Sequence, residues 1–283
     1  MAIGDSQPSA VPIQPEHLRA RVAAKTDVGK NRGNNEDSHL ILPLDGSAPH
    51  GYEAVTLSIQ EPGLLLAVAD GMGGHHAGEV ASSKCVEYLA REIISSFKTV
   101  GGAQSDMASL LERAVLATHL AVYDFAQEYS KLQSMGTTLT AVLMRGVKAD
   151  IAEVGDSRAY LFRDGNLILL TQDQTIGNEL RGRGADPGLM TQQMQEVLTQ
   201  ALGSRPEIKV VMTAVDLLPE DLLLVCCDGL YKVVPPDELV EILEFDVPPT
   251  EKAARLIARA NEHGGPDNIT ALVAEISAAL SPS

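Results

Sequence analysis

Two stretches of the chain repeat one pattern. Leu64-Leu65-Leu66-Ala67-Val68-Ala69 runs into Asp70-Gly71, and Leu222-Leu223-Leu224-Val225-Cys226-Cys227 runs into Asp228-Gly229. A continuous apolar run of that length reads as a strand covered on both faces, so the chain needs material on either side of its sheets. Each Asp then stands where a buried strand meets solvent, and the Gly after it permits a sharp turn with its carbonyl facing the same place. If the two strands are neighbours their carboxylates converge, and like charges so close need a cation or a shared proton. Taken singly, each Asp-Gly is an ordinary turn signal; the repetition is what points to a metal.

Short β-like runs fill much of the remainder: Arg19 to Thr26, Ser38 to Leu44, Thr137 to Met144, Ile151 to Val154, Ala159 to Arg163, Lys209 to Val215 and Ile269 to Ile276. So many strands imply one or two large sheets. Helices interrupt them. Leu111, Val115, Thr118, Val122, Phe125 and Tyr129 share one face of a helix with Ser105 or Asp106 as N-cap. Val86, Leu89, Ile93 and Phe97 mark a second helix that begins near Ala77, and Thr250 to Glu262 a third that ends at Gly264-Gly265. These stripes are sheet-packing faces. Residues 1–18 carry Pro8, Pro12 and Pro15 without any period and read as a leader. Residues 19–277 form the folded domain, and 278–283 a tail. Within the domain, 173–202 is polar and glycine-rich, with weak helical patterns at 175–183 and 188–202, and reads as a helical flap with little apolar surface to anchor it. Residues 45–62 read as a loop around one short strand, Ala54 to Ile59.

Composition narrows the partners. With 45% hydrophobic and 21% charged residues, 283 residues can bury a sizeable core, and a formal charge of −16 repels nucleic acid. No apolar run reaches the length of a membrane span and no secretory h-region is present, so a cytoplasmic chain without a membrane partner is expected. Three cysteines, two of them adjacent, argue against a disulfide framework. Cys226 and Cys227 lie in an apolar run and read as core residues rather than catalytic thiols.

Further carboxylates sit at strand boundaries: Glu36 and Asp37 before Ser38, Asp156 between two strands, and Asp267 before Ile269. Oxygen donors without a Cys or His spacing suited to zinc favour hard cations, Mg²⁺ or Mn²⁺. Arg32-Gly33-Asn34-Asn35-Glu36-Asp37, Val68-Ala69-Asp70-Gly71-Met72-Gly73-Gly74-His75, Met135-Gly136-Thr137-Thr138-Leu139, Val154-Gly155-Asp156-Ser157-Arg158, Cys227-Asp228-Gly229-Leu230 and Gly264-Gly265-Pro266-Asp267-Asn268-Ile269-Thr270 together resemble the ordered motifs of the metal-dependent protein phosphatases, the protein phosphatase 2C type in its bacterial form. The resemblance covers about residues 19 to 277.

It implies an α+β fold, a four-layer α-β-β-α sandwich with two central, mainly antiparallel sheets and the helical flap, and two metal ions at one end. Asp70 would bridge both ions, Asp228 and Asp267 complete one, the Gly71 carbonyl serve the other, and Glu36 and Asp37 hold them directly or through water. Asp156, with Asp228, would hold a third, weaker ion, and Arg32 would grip the substrate phosphate. The implied reaction is hydrolysis of phosphoserine and phosphothreonine by a metal-activated water without a covalent intermediate, on proteins phosphorylated by a serine/threonine kinase or on the kinase itself. Two departures stand out. Met72 occupies the place of a histidine in eukaryotic relatives, leaving water or His75 to protonate the leaving oxygen. Gln174 occupies the place of a histidine common in bacterial relatives and cannot ionise. Gln174 alone supports the alternative of a phosphoprotein-binding module without turnover; a small-molecule phosphohydrolase on the same scaffold is a further alternative.

Overall fold

The computed structural model describes residues 18–46, 55–60, 62–73, 76–100, 106–129, 132–184 and 191–279. Residues 1–17 of the expected leader lie outside the described residues, as does most of the loop between Asp45 and Val55, while Leu18 belongs to the domain, opening its first strand with a buried side chain.

One sheet has the order β3-β1-β12-β11-β8-β9, built from β1 (Leu18–Asp27), β3 (Val55–Ser58), β8 (Arg158–Arg163), β9 (Asn166–Leu169), β11 (Leu222–Cys226) and β12 (Ile269–Ala278). The other has the order β10-β7-β6-β4-β2, from β2 (Asp37–Pro43), β4 (Leu64–Met72), β6 (Leu139–Arg145), β7 (Lys148–Val154) and β10 (Val211–Asp216), with the two-residue β5 (Gly136–Thr137) paired to the end of β4. The described pairings are antiparallel.

Both apolar runs are covered on two sides, as their composition requires. Leu64, Leu66 and Val68 of β4 meet Val22, Leu223, Val225 and Leu272 of the opposite sheet in the central core. The alternate residues Leu65, Ala67 and Ala69 pack under α1 (Ala77–Val100) and α2 (Met107–Glu128), against Leu89, Ile93, Leu111 and Val115. On the far side, Leu222, Leu224 and Cys226 of β11 pack under α6 (Pro236–Glu244) and α7 (Pro249–Glu262), against Leu239, Leu243, Leu256 and Ala260. Three apolar layers between four structural layers make the expected sandwich. Of the α2 stripe, Leu111 through Val122 is buried, while Tyr129 lies past the helix end and is exposed. Asp106 is the N-cap, yet it makes no side-chain cap bond to the backbone; instead it accepts from the Ser109 hydroxyl.

β4 and β11 belong to different sheets. The two Asp-Gly ends therefore meet by stacking across the sandwich, not by pairing within one sheet. The flap is α3 (Ile176–Gly182) and α4 (Gln192–Glu196), so the helical pattern expected over 188–202 shrinks to five residues among those described. Its anchorage also differs from expectation. Leu202 is fully buried in the core beneath α2, exchanging backbone bonds with Thr137 at 3.1 and 2.8 Å, and the Gly203 amide donates to His119 Nδ1 at 3.1 Å.

Candidate metal centre

The central core turns polar at one end of the sandwich. On the inner face of β2, Ile41 is apolar and Asp37 is not; on β4 the same face runs Leu64, Leu66, Val68, Asp70. Asp37 and Asp70 are directly opposite each other in the β2–β4 register, which places their side chains side by side. From the opposing sheet, Thr270 donates its hydroxyl to Asp37 Oδ2 at 2.6 Å. The Cys227 thiol also lies against this pair: oxygens of Asp37 and Asp70 and the Cys227 sulfur fall within 4.8 Å of one another. Asp37 Oδ1 is buried with no hydrogen-bond partner, a costly arrangement for a polar atom unless an ion satisfies it.

A cavity of about 260 Å³ opens above this floor, lined by Arg32, Glu36, Asp70, Asp156, Asp228 and Asp267 among others. The structure thus brings together the carboxylates expected from the sequence. Asp228 opens the short helix α5 (Asp228–Tyr231) straight after β11. Asp156 lies in the turn between β7 and β8 and is 4% exposed. Asp267 precedes β12, and its Oδ2 accepts from the Arg32 guanidinium at 2.6 Å. The charges strain one another. Burial, then the neighbouring Asp228 and Asp267, push the Asp37 carboxyl up to about 7 against the bonds from Thr270 and Cys227. Burial and the charge of Asp228 do the same to Asp156, also to about 7, and Asp70 lies well above the usual carboxylate range through burial and the charges of Asp37 and Asp228. Such mutual elevation marks oxygens arranged for cations.

The donor set fits hard divalent ions. Burial holds Cys227 well above the ordinary thiol range, so its sulfur remains a protonated partner: it accepts from the Thr270 amide at 3.0 Å and donates to the Asn268 carbonyl at 3.4 Å. It is free and buried, like Cys85 and Cys226. The glycines fit as well, though for a reason other than turning. A Cβ on Gly71 would meet the Gly78 carbonyl oxygen at 2.0 Å and the Glu36 carbonyl at 2.6 Å, and one on Gly229 would meet the Asn268 carbonyl at 2.0 Å. Both strand ends are glycine because backbone passes over them.

Several residues shape the site although their spacing gave no chemical signal. Asn268 is a clamp: its amide donates to the Val28 and Asn34 carbonyls at 2.9 Å each, and its oxygen accepts from the Glu36 amide at 2.8 Å, tying the Arg32–Glu36 loop to the Asp267 turn. Thr138 bonds the Asp70 backbone on both sides, with its hydroxyl accepting from the Asp70 amide at 3.0 Å and its own amide donating to the Asp70 carbonyl at 2.8 Å. Lys232 sends its ammonium to Asp228 Oδ2 at 2.6 Å and lies 3.7 Å from Asp156 Oδ2. Burial works against its charge, but Asp228 and Asp156 prevail and hold its pKa above the usual lysine value. Gln174 is a structural tie: its side-chain oxygen accepts from the Gly155 amide at 2.7 Å and its amide donates to the Lys209 carbonyl at 3.0 Å. Met72 lines the cavity, and His75 lies outside the described residues.

The chain as a whole is similar to known proteins. The family described as Protein phosphatase 2C matches residues 25–269. The serine/threonine phosphatase stp of Listeria monocytogenes is 33% identical over 253 residues, covering 89% of this chain and 94% of its own. The crystal structure of the Mycobacterium tuberculosis serine/threonine phosphatase PstP/Ppp superposes with a TM-score of 0.74 at 34% identity, covering 92% of this chain and 99% of that one. A structure of the PstP catalytic domain in complex with two manganese ions gives a TM-score of 0.72 at 34% identity, with the same coverage. The chain belongs to the protein phosphatase 2C family.

Proposed function

We propose that the carboxylate cavity is the active site through which this chain, a metal-dependent serine/threonine protein phosphatase, hydrolyses phosphoserine and phosphothreonine in proteins. The observation that carries the residue assignment is the convergence of Glu36, Asp37, Asp70, Asp156, Asp228 and Asp267, with the buried, unpartnered Asp37 oxygen at its floor. Asp70, Asp228, Asp267, Asp37, Glu36 and the Gly71 carbonyl would hold two ions, Mn²⁺ or Mg²⁺. When bound, such ions lower the pKa of water and offset charge on phosphoryl oxygens. Arg32, with half of its side chain exposed at the rim, presents a planar guanidinium to the phosphate. Asn268 and Thr138 keep that arginine's loop and the Asp70 backbone in place, which is where orientation contributes to rate. Met72 has no proton to give, so the leaving oxygen is protonated by water or by His75. No thiol takes part, since Cys227 is buried and burial holds its proton on the sulfur. The substrates are products of serine/threonine kinases, the reaction class that installs these esters.

Gln174 no longer favours a binding module without turnover, because its amide is used to tie the flap base to the Gly155 turn. The test is release of phosphate from a phosphothreonine peptide and from p-nitrophenyl phosphate, before and after exhaustive chelation. Activity restored only by Mn²⁺ or Mg²⁺ is expected; activity that survives chelation would overturn the assignment.

A further inference from the structure

The position expected to hold a third ion, between Asp156 and Asp228, contains a side chain. Lys232 lies four residues from Asp228 across α5, and its amide donates to the Asp228 carbonyl at 3.0 Å, the spacing that puts two side chains on one helix face. Its ammonium contacts Asp228 Oδ2 at 2.6 Å with Asp156 Oδ2 at 3.7 Å. The neighbouring residues hold the same geometry from the other side. The Tyr231 hydroxyl donates to the Asp156 carbonyl at 3.0 Å, and the Arg158 guanidinium stacks on the Tyr231 ring at 3.7 Å. Arg158 is itself fixed by a forked pair of bonds to Asp173, at 2.8 and 2.7 Å. Tyr231 thus grips the backbone of the Asp156 turn while Lys232 faces its carboxylate.

We propose that Lys232 is the resident cation of the Asp156–Asp228 pair, so that this chain binds two divalent ions rather than three and Asp156 acts as a positioning residue for Lys232 and Asp228. This rests on the reading of Asp70 and Asp228 as ligands of a two-ion centre. A tethered ammonium is present at high effective concentration whatever the metal supply. A divalent ion entering between the same two carboxylates would stand within a few ångströms of that ammonium, and like charges so close repel. With Oδ2 given to Lys232, Asp228 keeps its other oxygen for the two-ion centre.

The experiment counts ions instead of turnovers. Mn²⁺ is titrated calorimetrically, with free Mn²⁺ followed in parallel by electron paramagnetic resonance, into the metal-free full chain and into Lys232→Met, Lys232→Arg and the double variant Lys232→Met/Asp156→Asn. The expected result is two ions for the wild type and for Lys232→Arg, which keeps a cation and controls for folding. Lys232→Met should gain one additional, weaker ion, and the double variant should lose it again. Three ions in the wild type, or no gain in a folded Lys232→Met, would overturn the role of Lys232 while leaving the two-ion centre intact. No ions in the wild type would overturn both.

Discussion

On the β2–β4 side of the cavity, Asp37 and Asp70 lie opposite each other, and among the described residues no basic side chain forms an ion pair with either. On the β11–α5 side, Asp228 and Asp156 share the ammonium of Lys232. Both sides begin from an apolar strand that ends in Asp-Gly, yet one leaves its negative charge for an external ion and the other meets it with a residue of its own. The first arrangement is a binding site in waiting; the second is closer to a buried ion pair, whose worth lies in fixing geometry more than in adding stability. Function should therefore be far more sensitive to the first.

That contrast is broken most directly by Asp70→Asn set against Asp156→Asn. Asp70→Asn is expected to lower kcat/KM on a phosphothreonine peptide by at least about a hundredfold, since changes one shell further out already cost about 10–100-fold, and to abolish the thermal stabilisation that Mn²⁺ gives. Asp156→Asn should cost about tenfold or less. Equal losses would erase the difference between the two sides. Gly71→Ala and Gly33→Ala sharpen it structurally. A methyl at position 71 meets backbone at 2.0 Å while one at 33 meets nothing within 4 Å, so denaturant unfolding should show a loss of about 1–3 kcal/mol for the first and little change for the second.

Arg32→Ala comes next. Its contact with phosphate exists in both the ground and transition states, so KM should rise about tenfold with a smaller change in kcat; an unchanged KM would remove Arg32 from phosphate binding. The smallest effect is on pH dependence. In the metal-free chain Asp37 titrates near 7 against 3.8 when unfolded, so the folded state holds its proton more tightly. The stability this contributes is full below the unfolded value and is lost as pH rises through about 7. Ion binding requires the carboxylates free of protons, so it strengthens over the same interval. The rise in Tm given by Mn²⁺ should consequently be a few degrees greater at pH 8 than at pH 5.5. A larger rise at pH 5.5 would mean that the β2–β4 carboxylates are not the ones waiting for a cation.

Much of this was legible in the residues because buried strands carry an unambiguous pattern: Leu64 to Ala69 and Leu222 to Cys227 read as strands, and the strands run Leu64–Met72 and Leu222–Cys226. The long helices announced themselves by period. What escaped depends on distance through space. α6 has the spacing Leu239, Ile242, Leu243, but within only nine residues that start at Pro236, too few for periodicity to stand out beside a proline pair. Lys232 signals nothing until the turn of α5 is known to place it, as the residue that caps the helix, four positions past Asp228. Gln174 looked like a catalytic loss because its partner, the Lys209 carbonyl, is 35 residues away. The stacking of β4 on β11 is a property of two sheets together, and no local pattern encodes it.

The flap has a pinched neck. Gln174 and Thr199 join backbone to backbone at 2.8 Å, Ile176 and Val197 at 2.9 Å, and below the neck one foot is held at Gly155 and Lys209 while the other is held at Thr137 and His119. A loop whose two ends are already fastened side by side behaves as a cartridge: its contents can be exchanged for a segment of another length without asking the framework to move, because closing the new loop costs little extra chain entropy. Substrate choice could then diverge between related chains through residues 176–197 alone, while the carboxylates beneath continue unchanged.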